Sequence, residues 1–420
     1  MDATFFIYLI ALLATAGVII RPFKLPEAVW AVSGALLLLI LGLISFSTAW
    51  TGISKGTDVY LFLTGMMLLA ESARQQGLFD WLAGHATRFS KGSAVRLFIL
   101  IYLVGLVVTV FMSNDATAVV LTPAVAAAAH HARVKQPLPY LLICAFIANA
   151  ASFVLPVSNP ANLVIYGSHM PPLTVWLQTY LLPSFFAVGI TFLMLYLTQR
   201  KDLRQPIAAD IPIEPLSGGG KIALTGIIFT TAVLLIASSF QYPLGIPTAI
   251  SGIAVAALVT LMTRQNPVRI IRSISWAVLP LVAGLFVLVE ALQEAGLINI
   301  LHRFLAEGSS TSPESTALIS GGITAFGSNL INNLPAGLIA GSAISGAQLP
   351  SVVRSCILIG IDLGPNLSVT GSLATILWLT ELRRHGHSVS AWKFLQLGAA
   401  IMIPALLAAM GAVWLVHHFG

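Results

Sequence analysis

The stretch Val110-Phe111-Met112-Ser113-Asn114-Asp115-Ala116-Thr117-Ala118-Val119-Val120 (residues 110–120) decides the fold. It puts three polar side chains in the middle of an apolar run from about 94 to 130. A plain membrane span would bury Ser113, Asn114 and Asp115 in hydrocarbon. Polar, non-helical backbone at that depth is tolerated only inside protein or around a cavity. The run therefore reads as a re-entrant hairpin whose tip stops within the bilayer. A second apolar run, 314–347, is interrupted in the same way by Ser328-Asn329 and Asn332-Asn333-Leu334-Pro335. It reads as a second hairpin.

Working outward, Gly65, Glu71, Gly77-Leu78 and Leu82 recur as Gly284, Glu290, Gly296-Leu297 and Leu301, each shifted by 219 residues. The same shift carries Asn114 onto Asn333. The chain is thus expected to hold two repeats, 1–199 and 221–420. Residues 200–220, with Pro206, Pro212, Pro215 and Gly218-Gly219-Gly220, form the linker between them.

Composition agrees. Of the 420 residues 57% are hydrophobic and 9% are charged. A soluble chain carries roughly a quarter charged residues, so lipid is the main solvent of this one. Spans need about 20 apolar residues. They are read near 4–20, 27–46, 58–76, 139–168, 173–198, 221–239, 246–263, 275–293, 351–381 and 391–416. The run Phe5–Ile20 has no basic residue before it and Arg21 and Lys24 after it, as a first span does and a cleaved leader does not. The net charge of +6 raises no case for nucleic acid, because the basic residues lie in short loops. With the N-terminus outside, every Lys and Arg except Lys55, Arg303 and Arg354 falls on the cytoplasmic side. That asymmetry sets orientation and holds only if the two interrupted runs are hairpins. It inverts the second repeat, leaves both termini outside and makes the linker cytoplasmic. The expected fold is an all-α polytopic membrane protein of two inverted repeats, with about ten transmembrane spans, two re-entrant hairpins and two broken helices.

The broken helices are 139–168 and 351–381. Pro156-Val157-Ser158-Asn159-Pro160-Ala161-Asn162 interrupts the first, and Asp362-Leu363-Gly364-Pro365-Asn366 through Thr370-Gly371-Ser372 the second. Proline and glycine there free backbone groups that a continuous helix would satisfy. Paired breaks in corresponding halves point to a transporter's binding site. The site would be lined by Ser113, Asn114, Ser158, Asn159, Asn162, Asn332, Asn333, Asn366, Thr370 and Ser372. It offers amides, hydroxyls and helix N-termini, but no Arg, Lys or His. A small neutral polyol or a small cation fits that chemistry better than a multivalent anion.

Acids at membrane depth are functional candidates. Asp115 and Asp362 lie at the breaks and are the expected proton carriers; the competing role for each is to cap a helix start. Glu71 and Glu290, near span ends, read as interfacial carboxylates with structural partners. Cys144 and Cys356 lie in apolar stretches near opposite ends of their spans and read as packing residues. His130 and His131 sit with Arg133 and Lys135 in a basic loop. No metal-ligand cluster, nucleophile elbow or phosphate loop is present, so neither an enzyme nor a cofactor is expected.

The segments 113–123, Asn332-Asn333-Leu334-Pro335 and Gly360–Trp378, the last with Asp-Leu-Gly-Pro and Gly-Ser-Leu-Ala-Thr, resemble the arsenical pump membrane proteins. These are the ArsB-type arsenite permeases of the ion transporter superfamily. The resemblance covers nearly the whole chain. It implies export of arsenite, and of antimonite, in exchange for protons across the cell inner membrane. It also implies a cytosolic arsenite-stimulated ATPase as an optional partner. The hairpin-tip motifs are shared with sodium/proton antiporters, which is the alternative function. One departure is Asn149, where such permeases carry an acid. Asn149 corresponds to Asp362 at a shift of 213, so Asp115 and Asp362 are left to carry the proton.

Overall fold

The computed structural model describes residues 3–167, 170–208, 215–345 and 349–419. Among these residues every regular element is a helix, and the order of helices repeats. Thr57–Gln75, Leu78–Phe89 and Ala94–Phe111 in the first half are answered by Val278–Glu294, Leu297–Thr311 and Pro313–Ile331 in the second. Leu138–Ala150 and Pro160–Tyr166 are answered by Ser351–Leu363 and Leu373–Arg384.

The repeated residues mark physical necessities. Gly77 and Gly296 precede the helices Leu78–Phe89 and Leu297–Thr311 with φ of 72° and 89°, a left-handed turn that only glycine enters without strain. Ser93 and Ser312, again 219 apart, cap the next helices by accepting from the amides of Arg96 and Ser315. Gly65 lies against the backbone of Thr248 and Ala249, and Gly284 against the backbone of Ala31 and Val32. Each glycine lets a helix of one half pack closely on a helix of the other. The two halves are therefore interlocked through small-residue contacts of the kind membrane helices use.

Lipid is the evident solvent of the rim. Leu12, Phe185 and Ile228 are exposed on helices Ala3–Ile20, Leu173–Gln199 and Gly218–Ser239. Six helices are long and apolar enough to cross a bilayer alone, or seven if Pro267–Ser273 and Val278–Glu294, bent by 41°, form one span. One of the six is Ala94–Phe111, the first arm of the expected first hairpin, which is by itself long and apolar enough to cross; the expected count of about ten leaves it out and takes in Val278–Glu294, the shorter Glu27–Ile40, the less apolar Thr57–Gln75 and the two broken helices.

Two sequence expectations change. Gly218-Gly219-Gly220 is not linker but the first turn of the helix Gly218–Ser239, because Ser217 caps it by accepting from the Gly220 amide at 2.9 Å. The span 27–46 ends as a helix at Ile40, and a separate helix, Phe46–Lys55, follows, capped by Ser45. That helix, Leu78–Phe89, Pro267–Ser273 and Leu297–Thr311 are too short or too polar to register as spans. Pro212 lies outside the described residues.

Candidate functional site

The broken helices form the centre of the molecule. From Pro139 to Ala150 every residue of the first is buried, and so is Ser355 through Leu363 of the second. Each break is built the same way. After a short turn, Pro156–Ser158 or Gly364–Leu367, a polar residue starts the second half-helix. Asn159 accepts from the Ala161 amide at 3.0 Å, with Pro160 at the first helical position. Ser372 accepts from the Thr375 amide at 3.1 Å.

The breaks are also tied to each other. The Asn159 amide donates to Asp362 Oδ1 at 2.8 Å. Asn149 donates to Asn366 Oδ1 at 3.0 Å and to the Thr375 hydroxyl at 3.2 Å. Asn366 donates to the Phe146 carbonyl, and Asn162 to the Ser152 carbonyl, both at 2.9 Å. Such bonds satisfy carbonyls that the break would leave orphaned. Most of these amides thus have their donors committed to the protein itself.

The tips of the two interrupted runs reach this centre. Ser113 caps the restart at Asn114 by accepting from the Ala116 amide at 3.2 Å, and Asn114 Oδ1 accepts from the Asp115 amide at 2.9 Å. A π-helical turn, Thr117–Leu121, follows; such turns cluster at functional sites. Ser158 donates to the Val110 carbonyl at 2.9 Å, which fastens the first tip to the first break. At the second tip Asn332 has φ 72° and donates to the Thr370 carbonyl at 3.3 Å. The Asn333 backbone amide donates to the Gly371 carbonyl at 2.8 Å. So the structure brings Asn332 and Asn333 to the backbone of Thr370 and Gly371, next to Ser372, and Ser158 to the backbone of Val110, just before Ser113 and Asn114. No hydrogen bond joins Asp115 to Asp362 among the described residues; Asp362 is fully buried, whereas Asp115 lines a cavity.

Asn329 is a pinning residue that the sequence reading left in the interruption without a role. Its Nδ2 donates to the Gly364 carbonyl at 2.9 Å, and its Oδ1 accepts from the Ser368 amide at 3.0 Å. An asparagine one turn before the tip was the available signal.

Two cavities flank the centre. One of about 880 Å³ is lined by Leu163–Gly167 after the first break, by Leu338, Gly341 and Ser342 after the second tip, and by Phe286, Val289 and Glu290. The other, about 100 Å³, is lined by Leu373 and Leu377 after the second break, by Asp115, Ala116 and Val119 after the first tip, and by Met67, Ala70 and Glu71. Met67, Ala70, Glu71 and Val119 map onto Phe286, Val289, Glu290 and Leu338 at the 219-residue shift. The cavities are therefore the same feature in the two halves, large in one and small in the other. Glu71 bonds Arg74 at 2.6 Å and Glu290 bonds Lys55 at 2.7 Å, so both carboxylates have the structural partners expected of them. Cys144 and Cys356 are both buried.

Residues 10–358 match the CitMHS family, described as citrate transporter. The chain is 28% identical over 413 residues to the arsenical pump membrane protein of Escherichia coli K12, covering 93% of each. It is 27% identical over 414 residues to the putative arsenical pump membrane protein of Bacillus subtilis, covering 91% of this chain and 93% of that one. The crystal structure of the Alcanivorax borkumensis YdaH transporter superposes with a TM-score of 0.58 at 16% identity, covering 88% of each chain, and shares the fold. With that family match across most of its length, and with arsenical pump membrane proteins as full-length relatives, the chain belongs to the CitMHS family of multi-pass membrane transporters and is a carrier, not an enzyme.

Proposed function

We propose that the protein is a secondary exporter of arsenite, and of antimonite, that exchanges them for protons by alternating access. The observation that carries the reading is the pair of repeat-related cavities, about 880 Å³ and about 100 Å³, on either side of the broken helices. In this reading 1–199 and 221–420 are inverted repeats joined by a cytoplasmic 200–220. The runs 94–130 and 314–347 are re-entrant hairpins entering from opposite sides of the plasma membrane. The larger cavity is the outward path and the smaller one the closed inward path. Export proceeds by exchanging their sizes.

Substrate chemistry supports arsenite over citrate, the compound in the family's description. Citrate carries several carboxylates and calls for cations. The large cavity holds Lys55, already paired with Glu290, and His302, whose Nδ1 lies 3.2 Å from the Ala343 carbonyl. The small cavity has no Lys, Arg or His among its lining residues and holds the acids Asp115 and Glu71. A compact uncharged trihydroxide needs only donors and acceptors, which the two tips supply through Ser113, Asn114, Asn332 and Asn333. Asp115 and Asp362 exchange the protons. An arsenite-stimulated ATPase is an optional partner of this mechanism rather than a requirement.

The test is arsenite accumulation in everted membrane vesicles under an imposed pH gradient. Accumulation that collapses when the gradient is dissipated is expected. Arsenite uptake that ignores the pH gradient would overturn the coupling, and absence of uptake under any ion gradient would overturn the substrate.

A further inference from the structure

We infer that the short helix Pro267–Ser273 is a docking site for anionic phospholipids, whose headgroups hold it as a lid over the small cavity. That this lipid belongs to the inner leaflet rests on the orientation read from charge; the chemistry of the site does not.

The sequence loads one segment with cations. Arg264, Arg269 and Arg272 lie in it, and no Asp or Glu occurs between Glu214 and Glu290. All three arginines are exposed. The ion pairs among the described residues join Arg21 to Glu27, Lys55 to Glu290, Arg74 to Glu71 and Arg384 to Glu381, so none takes in these three. Exposed apolar side chains stand beside them: Val268, Ile271 and Trp276, and Leu261 and Met262 at the end of the preceding helix. Cationic and apolar side chains exposed together fit the boundary between headgroups and acyl chains.

Helical spacing sorts the two kinds. Ile270 and Ile274 are buried and pack with Leu68 and Ala256. Val268 and Ile271, three apart, share one outer flank, and Arg269 and Arg272, three apart, share the next, about 100° round the helix. A helix lying in the membrane surface presents its apolar flank to the chains and its basic flank to the headgroups. Asn266 caps the start by accepting from the Val268 amide at 2.9 Å, and Trp276 Nε1 donates to the Ile271 carbonyl at 2.7 Å. That bond fixes an indole at the level where such rings collect.

The repeat supplies the contrast. Ser54 and Ser273 correspond at the 219-residue shift, and each lines one of the two cavities. The counterpart helix, Phe46–Lys55, is held by protein: Lys55 pairs with Glu290 at 2.7 Å, and the Thr48 hydroxyl donates to Glu294 at 2.6 Å. Among the described residues no hydrogen bond or ion pair ties Pro267–Ser273 to another helix. Yet Ser273 and Ile274 line the small cavity, and a bend of 41° joins the helix to Val278–Glu294, whose Phe286 and Glu290 line the large one. The membrane surface supplies the anchor that protein supplies on the other side. Guanidinium forks bind phosphate oxygens in bidentate fashion. A zwitterionic lipid brings its own ammonium, so a net anionic headgroup is selected.

The test uses the purified full-length protein in detergent. It is titrated with phosphatidylglycerol, with phosphatidylcholine, or with glycerol phosphate as a headgroup without tails, and thermal unfolding is read. Saturable stabilisation by phosphatidylglycerol alone is expected. Arg269→Gln with Arg272→Gln should weaken its affinity about 25-fold, since each arginine near an anionic surface contributes about fivefold. Arg269→Lys with Arg272→Lys should keep most of it. Lys201→Gln with Arg204→Gln removes the same charge from exposed positions of the linker and should change nothing. Equal weakening by that control pair would overturn the site in favour of general charge. Equal stabilisation by glycerol phosphate would overturn it in favour of a soluble anion, and equal stabilisation by phosphatidylcholine would remove the selectivity. The lid is read with Val119→Cys in protein lacking Cys144 and Cys356, since Val119 lines the small cavity. An uncharged maleimide should label it more slowly in phosphatidylglycerol vesicles than in phosphatidylcholine vesicles, and Arg269→Gln with Arg272→Gln should abolish the difference. Equal rates in the two lipids would overturn the lid. No arsenite flux is read, so failure of the carrier reading leaves both results standing.

Discussion

Asn149 and Asn366, one at each break, are joined side chain to side chain, with Asn149 Nδ2 donating to Asn366 Oδ1 at 3.0 Å. This bond and the Asn159–Asp362 bond cross-link the two broken helices at the buried centre. Asn366→Ala would remove the bonds to the Asn149 amide and the Phe146 carbonyl together, leaving Asn149 its bond to the Thr375 hydroxyl. Each such bond contributes about 0.5–1.5 kcal/mol. A clearly lower unfolding temperature in detergent is expected. Pairing it with Asn149→Ala should cost less than the sum of the two single changes, since both remove one bond. Additive losses would show that the bond has no energetic content.

The interlock of the halves makes a second prediction. Gly65→Ala and Gly284→Ala each drive a methyl group into the backbone of a facing helix, near Thr248 and near Ala31. Backbone cannot step aside as a flexible side chain does, so a loss of about 1–3 kcal/mol is expected from each. Gly327 faces open space, and Gly327→Ala should leave stability nearly unchanged. Thermal melts of the three variants check this.

Coupling is tested at the acids. Asp362→Asn keeps an oxygen for Asn159 to bond but cannot release a proton. Loss of pH-driven arsenite accumulation in everted vesicles is expected, with passive exchange of arsenite retained. Asp115→Asn should have the smaller effect, because Asp115 lines a cavity and Asp362 is enclosed. Full accumulation in both variants and in the double variant would move the proton path elsewhere.

The cysteines are expected to be dispensable. Cys144 and Cys356 are buried in separate halves, and each Cys→Ala change should cost about 1 kcal/mol or less as a small loss of packing. The double variant should export arsenite at close to the parent rate. A well-expressed double variant without export would restore a thiolate role.

In that cysteine-free background the cavities predict labelling. Ser342 lines the large cavity and Val119 the small one. Ser342→Cys should react quickly with a membrane-impermeant thiol reagent added outside, and Val119→Cys slowly from either side. The reverse pattern would exchange the open and closed paths.

Much was legible in the linear chain because a bilayer is an unforgiving solvent. A run of apolar residues must be helical there, and a polar interruption such as Ser113-Asn114-Asp115 must have a protein-lined reason to exist. The repeat was legible because Gly77 and Gly296 serve turns with φ above zero and Gly65 and Gly284 serve close contacts, so few other residues work in those places. The tertiary structure alone decided what the polar residues do. Asn162, Asn366 and Asn159 read as substrate ligands, yet their amide donors hold the breaks together. The sequence places Asn149 226 residues from Thr375 and 217 residues from Asn366, and only packing brings them within bonding distance. The same holds for the unequal cavities. Repeat-related residues line both, so their patterns are alike, and which one is larger is settled by how the two halves lean on each other. Hydropathy follows from local solvent preference, whereas hydrogen-bond partners and cavity size depend on contacts between residues far apart in the chain.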